Sequence, residues 1–166
     1  FLEPQINLIQ GVYDFLNENG IEHEITEHPA VFNMAELESI ELPYPEQQAK
    51  NLFIRDDKKR NYYLITVKGD KRVDLKSFRK SHNLRALSLA SAEDLYEIMG
   101  LLPGSVSPLG IMNDENRMVH FYMDTEYVGN IIGVHPNDNT ATVWLKADEL
   151  MELICRHGNN AEFTEV

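Results

Sequence analysis

Three stretches of the chain carry residue types able to act on a substrate. In GLLPGSVSPLGIMND, residues 100–114, Gly104 permits a positive φ or a close backbone approach, and Pro103 and Pro108 stiffen the flanks. A stiff loop placed after a helix can aim N–H and C=O groups at a small ligand, a preorganised polar surface that stabilises developing charge. It is equally a well-made turn. In GVHPNDNTATVWL, residues 133–145, His135, Pro136, Asn137 and Asn139 form a polar corner between two strands, and Pro136 biases His135 towards an extended backbone. His135 can orient a substrate group or simply bond a nearby carbonyl. Lys50 opens an apolar strand directly after a stretch, 1–49, with no Lys or Arg. Its ammonium can snorkel to solvent, or supply one positive charge to a phosphate or carboxylate.

Other chemistries find little support. His23 and His28 are five apart on a strand and its exit, so their side chains should face opposite sides, and neither HExxH nor CxxC occurs. No structural metal and no cofactor are expected. Cys155 lies beside Leu150, Leu153 and Ile154 in the last helix and reads as a buried small hydrophobe. Ser105 and Ser107 lack a GxSxG elbow, so a nucleophilic triad is not expected.

The elements that must position these residues follow from periodicity. Ile6, Ile9, Val12, Tyr13 and Leu16 predict a helix over 6–19, ended by Gly20. IEHEIT (21–26) alternates as a half-buried strand, and Asn33 can cap a short helix over 34–40. KNLFIRD (50–56) and NYYLITVKG (61–69) predict an antiparallel hairpin around DDKKR. A short basic helix follows over 74–82, then a brief strand at ALSLA, and a helix to Met99 with Ser91 and Asp94 as a capping box. Strands are expected at 118–124, 129–134 and 140–145, and a last helix runs from Asp148 and Glu149 to Arg156 and His157, matching the helix dipole. This order predicts an α+β fold with a central mixed, largely antiparallel sheet and packed helices, one domain over 1–166.

Composition bounds the partners. Of 166 residues 43% are hydrophobic and 25% charged, an ordinary globular balance. No apolar run reaches membrane-spanning length and FLEPQINLIQ does not read as a signal peptide, so a cytoplasmic protein without a membrane is expected. One cysteine fits a reducing compartment, and no assembly signal stands out, so a monomer is the expectation. The net charge of −12 argues against nucleic acid, but its distribution does not. Residues 50–85 hold twelve of the fifteen Lys and Arg against four acids, a local excess of eight positive charges. Such a segment can meet a phosphate backbone or merely be a solvated face.

Taken together, HPAVF, AKNLFIRD, the YYL strand, GLLPGSVSPLGIMND and GVHPNDNTATV resemble the YbaK/ProX family of prolyl-tRNA editing domains. The resemblance runs essentially end to end and is strongest to the free-standing ProX (PrdX) type, which clears alanine wrongly attached to proline tRNA. It implies an α+β fold and a deacylase acting on the acceptor end of mischarged tRNA(Pro), with prolyl-tRNA synthetase as a further partner. It gives Lys50 a role in holding the acceptor end and its ester. Gly104, Ser105, Val106, Ser107 and Pro108 become the lining of the aminoacyl pocket, and His135 a positioning group, with Asn139 in the same corner. Where the family pattern continues HPAVF with Thr, this chain has Asn33, a position near the pocket that bears on which amino acid is taken. Related specificities, for cysteine or another small amino acid, and a non-catalytic binding module of the same fold, remain open at this level.

Overall fold

Strands distant in sequence set the frame. The computed structural model describes residues 5–30, 34–37 and 40–166. α1 (Gln5–Glu18) turns Val12 and Leu16 into the core, and Gly20, at φ 68°, ends it. β1 (His23–Glu27) then pairs antiparallel with β7 (Ala141–Lys146), Ile25 opposite Val143. The other edge of β7 takes β6 (Ile131–Val134), completing a three-stranded sheet.

The second sheet is built on the expected hairpin of β2 (Ala49–Asp56) and β3 (Tyr62–Lys68). Its tip is fixed by the buried Asp56 carboxylate, which accepts from the Lys58 and Arg60 amides at 3.2 and 2.9 Å and from Asn61 Nδ2 at 2.8 Å. β4 (Leu87–Leu89) adds antiparallel to β2, while β5 (Val119–Asp124) and β8 (Ala161–Thr164) add in parallel beyond β3. The architecture is α+β with mixed sheets, as expected, but the strands divide into two sheets rather than one. Both edges of β7 are occupied by β1 and β6, so β6 meets the second sheet only through a parallel bridge between Gly133 and Gln48.

Four further helices complete the chain. α2 (Met34–Leu37) is a single turn, and positions 38 and 39 of the predicted 34–40 helix lie outside the described residues. α3 (Leu75–Ser81) is capped by Asp74, α4 (Ala92–Met99) by Ser91, and Gly100 leaves α4 at φ 66°. α5 (Ala147–His157) buries Leu150, Leu153 and Ile154 and ends at Gly158. Cys155 falls outside that stripe and is exposed, correcting the expectation of a buried thiol. The main core lies on one face of the five-stranded sheet, with Phe53, Leu64, Phe121 and Met123 against α4 and α5 side chains. A smaller core of Ile54, Tyr63, Ile65 and Val67 lies on the other, under Phe78 of α3. Each such side chain contributes about 1.5–3 kcal/mol by burial.

Candidate active site

The loop between α4 and β5 is fixed by its own sequence. Gly104 takes φ 91°, a conformation that costs any other residue strain. The Ser105 amide closes a turn onto Leu102 O at 3.0 Å. Ser107 is fully buried, and its hydroxyl accepts from the Leu109 amide at 3.2 Å, starting a 3-10 helix over Pro108–Asn113. Ser107 and Pro108 therefore anchor the loop from below, while Gly104, Ser105 and Val106 remain half-buried at its surface. The amides of Gly104 and Val106 have no backbone partner among the described residues. A cavity of about 200 Å³ opens beside them, walled by Pro103, Gly104 and Val106 on one side and by Asn51, Phe53 and Leu95 on the other.

β2 approaches the loop through Asn51. Its Nδ2 donates to Val106 O at 3.4 Å, and its Oδ1 accepts from the Thr66 hydroxyl, directly across the hairpin, at 2.6 Å. Successive strand side chains leave on opposite faces, so the neighbouring Lys50 points the other way. The Lys50 ammonium, half-buried, donates to the backbone carbonyl of Lys71. Lys71 in turn meets the buried carboxylate of Asp124 at 2.5 Å and Glu126 at 3.2 Å. Those acids raise the Lys71 pKa above its usual value, Asp124 chiefly, so it stays charged and held.

His135 sits at the exit of β6. Its Nδ1 lies 2.9 Å from Ala141 O, an atom that only accepts, so Nδ1 carries the proton and Nε2 keeps a lone pair. Burial pushes its pKa below the ordinary histidine value, and the ring is neutral near pH 7. The His28 ring stands edge-on to it, centroids 6.2 Å apart. Because β1 and β7 pair with Thr26 opposite Thr142, His28 lies just past β1 beside β7, and its Nε2 and the buried Thr142 hydroxyl share a hydrogen bond at 2.9 Å. In the same corner Asn137 adopts φ 64°, and Asn139 is buried.

The two groups of residues are joined at the bridge. Gln48 pairs with Gly133, and two residues onward in each strand stand Lys50 and His135. The bridge aligns their backbones, but neither side chain lines the cavity beside Gly104. Asn33 lies outside the described residues. Asn51, Thr66, His28 and Thr142 were not singled out as site residues by sequence reading. The signal for the first two is a polar residue at a core-facing strand position, since Ala49 and Phe53 on the same face as Asn51 belong to the main core. Among the described residues no cluster of His, Cys, Asp and Glu could hold a metal ion, and no helix is long and apolar enough to cross a membrane.

The model of the aminoacyl-tRNA editing domain matches residues 28–153, a span containing β2, the 103–108 loop and the histidine corner. The chain is 36% identical over 158 residues to the prolyl-tRNA editing protein ProX of Acetoanaerobium sticklandii, covering 95% of this chain and 96% of that protein. It is 28% identical over 150 residues to the prolyl-tRNA synthetase associated domain-containing protein 1 of Mus musculus, covering 85% and 86% respectively. In fold it is similar to a solved structure described as a candidate trans-editing enzyme for prolyl tRNA synthetase, with TM-score 0.70 at 22% identity, covering 99% of this chain and 98% of that one.

Proposed function

The chain belongs to the aminoacyl-tRNA editing domain family, and from that premise we propose that it is a trans-acting deacylase of Ala-tRNA(Pro), with residues 1–166 working as one domain. The observation that carries this reading is the clamped loop: two amides without backbone partners among the described residues, held by Asn51 and by a glycine at positive φ, beside a small cavity. Such amides stabilise the oxyanion that forms when water attacks the ester carbonyl. The bond from that carbon to the ribose 3′-oxygen then breaks, the proton passes to the departing oxygen, and alanine and tRNA leave. The ester is already activated, so a positioned water and the ribose 2′-hydroxyl suffice without a covalent nucleophile.

The three candidate catalytic residues divide the work. Gly104 lets the loop approach the ester. His135, outside the cavity and neutral with its Nε2 unprotonated, accepts a hydrogen bond from the substrate's ribose 2′-hydroxyl. Lys50 exchanges the neutral carbonyl of Lys71 for a phosphate of the acceptor end, the stronger, charge-assisted partner. Ser105, Val106, Ser107 and Pro108 shape the pocket, and the family resemblance adds Asn139 and Asn33, the latter outside the described residues, as substrate-binding residues. A synthetase site that accepts proline cannot strongly exclude a smaller apolar amino acid, and a second, smaller hydrolytic site corrects the error. Prolyl-tRNA synthetase, the source of the mischarged tRNA, is the natural partner.

The test is hydrolysis of Ala-tRNA(Pro), Cys-tRNA(Pro) and Pro-tRNA(Pro) in parallel by the purified chain. Selective loss of alanine is expected. Preference for cysteine keeps the chemistry and moves the specificity, and no turnover of any of the three leaves a binding module.

A further inference from the structure

Resting on that reading, we propose that a second cavity, between α1 and the 3-10 helix over Pro108–Asn113, takes the adenine ring of the terminal adenosine and reads it through the side-chain amide of Asn137. This cavity, of about 270 Å³, is lined by Gly11, Val12 and Phe15 of α1, by Leu109 and Met112 of the 3-10 helix, and by Asn137. It adjoins both parts of the candidate site through the chain itself. Leu109 directly follows Pro108, the last residue of the loop, and Asn137 stands two residues past His135. Two residues of chain span at most about 7 Å. In a nucleoside the 2′-hydroxyl and the base sit on neighbouring ribose carbons, so a ribose whose 2′-hydroxyl meets His135 carries its base close to this cavity.

Two features of the lining have no role in the fold. Asn137 is only 6% exposed, and its buried Oδ1 has no hydrogen-bond partner. Among the described residues neither end of that amide is bonded. A buried amide left unpaired is costly. The φ of 64° does not account for it, because glycine serves that conformation better than asparagine. Gly11 lies inside α1, where glycine is unfavourable, yet a Cβ there would meet nothing within 4 Å. No protein atom claims that space. The matching ligand is flat and uncharged, since no charged side chain lines the cavity, and it carries a donor beside an acceptor. The other asparagine at the cavity, Asn113, spends its Nδ2 on Met99 O at 2.9 Å. Adenine fits Asn137: its N6 amino group donates to Oδ1 and its N7 accepts from Nδ2, the pairing asparagine makes with adenine in general. Phe15 offers a ring for the base to stack on. Guanine presents two acceptors along the same edge and leaves Oδ1 unpaired.

The experiment compares alanylated tRNA(Pro) ending in adenosine with the same tRNA ending in purine riboside, which lacks the N6 amino group. On the wild type this exchange should lower kcat/KM about tenfold. Asn137→Gly, which keeps the positive φ, should lose about tenfold on the adenosine end and nothing further on the purine end. Gly11→Leu fills the cavity, and should lower kcat/KM on both ends while raising the thermal midpoint, a pair of results that a folding defect does not give. No loss in Asn137→Gly overturns the pocket, and so does an equal loss on both ends, which would place the effect in the fold. Should the wild type hydrolyse neither tRNA, the deacylase reading fails by itself, and the pocket is judged on binding of free adenosine. Adenosine must then bind about tenfold more tightly than guanosine or cytidine, and both variants must weaken it; equal binding overturns the pocket. If adenosine binds through Asn137 but exchange of the terminal base leaves kcat/KM unchanged, the cavity serves a free adenine nucleotide, and its assignment to the tRNA end is overturned.

Discussion

Asn51 Nδ2 donates to the carbonyl oxygen of Val106 across 3.4 Å, tying the third residue of a central strand to the loop that walls the cavity. The same amide's oxygen is held by Thr66 at 2.6 Å, so loop, β2 and β3 share one polar contact inside otherwise apolar surroundings. Removing one partner of such a bond leaves the other unsatisfied, at about 1–3 kcal/mol.

Asn51→Ala should therefore loosen the loop. Deacylation kcat is expected to fall at least about tenfold, equivalent to about 1.4 kcal/mol on the barrier, with a smaller change in KM. Single-turnover rates with saturating enzyme measure it. A kcat within a factor of two of wild type would detach this asparagine from catalysis.

Lys50→Ala should abolish most turnover while leaving the fold intact, because among the described residues the lysine's bond is to a backbone carbonyl, that of Lys71. A thermal midpoint close to wild type, together with a large loss of kcat/KM, is the expected pair of results. Unchanged deacylation would remove Lys50 from the site.

Gly104→Val places a β-branched residue at φ 91°. Strain of about 1–3 kcal/mol must be relieved by moving the loop, so turnover should drop more than stability does. Gly104→Ala is expected to lie between the two. Denaturant titration beside the deacylation assay separates the effects, and intact turnover in the valine variant would mean the loop is not the pocket wall.

The pH dependence follows from His135. Its folded pKa is depressed by burial, as is that of half-buried His120, so the unfolded chain takes up protons first as pH falls. Their contribution to stability is present above the unfolded value near 6.5 and is lost below it. Deacylation should be flat above pH 7 and decline only below the ordinary histidine range, since the free Nε2 is the working form. An acid limb centred above pH 6.5 in kcat would contradict the neutral ring.

Gly133→Ala tests the seam between the sheets. A Cβ there would stand 2.3 Å from the Trp144 ring. Overpacking of this kind costs about 1–3 kcal/mol, which at this length lowers the midpoint by several degrees. A calorimetric midpoint equal to wild type would show that the ring gives way.

Much of this arrangement is readable from residues alone. The hairpin, the helices capped by Asp74 and Ser91, and the left-handed Gly100 all fall within a residue or two of where periodicity and capping put them, because the signals are local. β8 is not, since AEFT is four residues long and owes its strand to pairing in parallel with β5. The division into two sheets is equally hidden: nothing in IEHEIT says that its partner is TATVWL. The same limit applies to the site. Lys50, Gly104 and His135 are visible as unusual residues in unusual surroundings. Asn51 as the loop's anchor and His28 as the neighbour of His135 arise from pairing across the sheets. Cys155 went wrong for a smaller reason, one step of 100° around α5 past its apolar stripe.

The long reach from β1 to β7 also governs when the molecule comes into being. Trp144 Nε1 donates to Thr26 Oγ1 across 118 positions of chain, and the histidine corner closes only against residues of β7. A nascent chain emerging from the ribosome therefore makes Lys50 and the 103–108 loop well before the strand that seats His135 and His28. Closing so long a loop delays folding more than it lowers final stability. The histidine corner thus stays incomplete until β7 has left the exit tunnel.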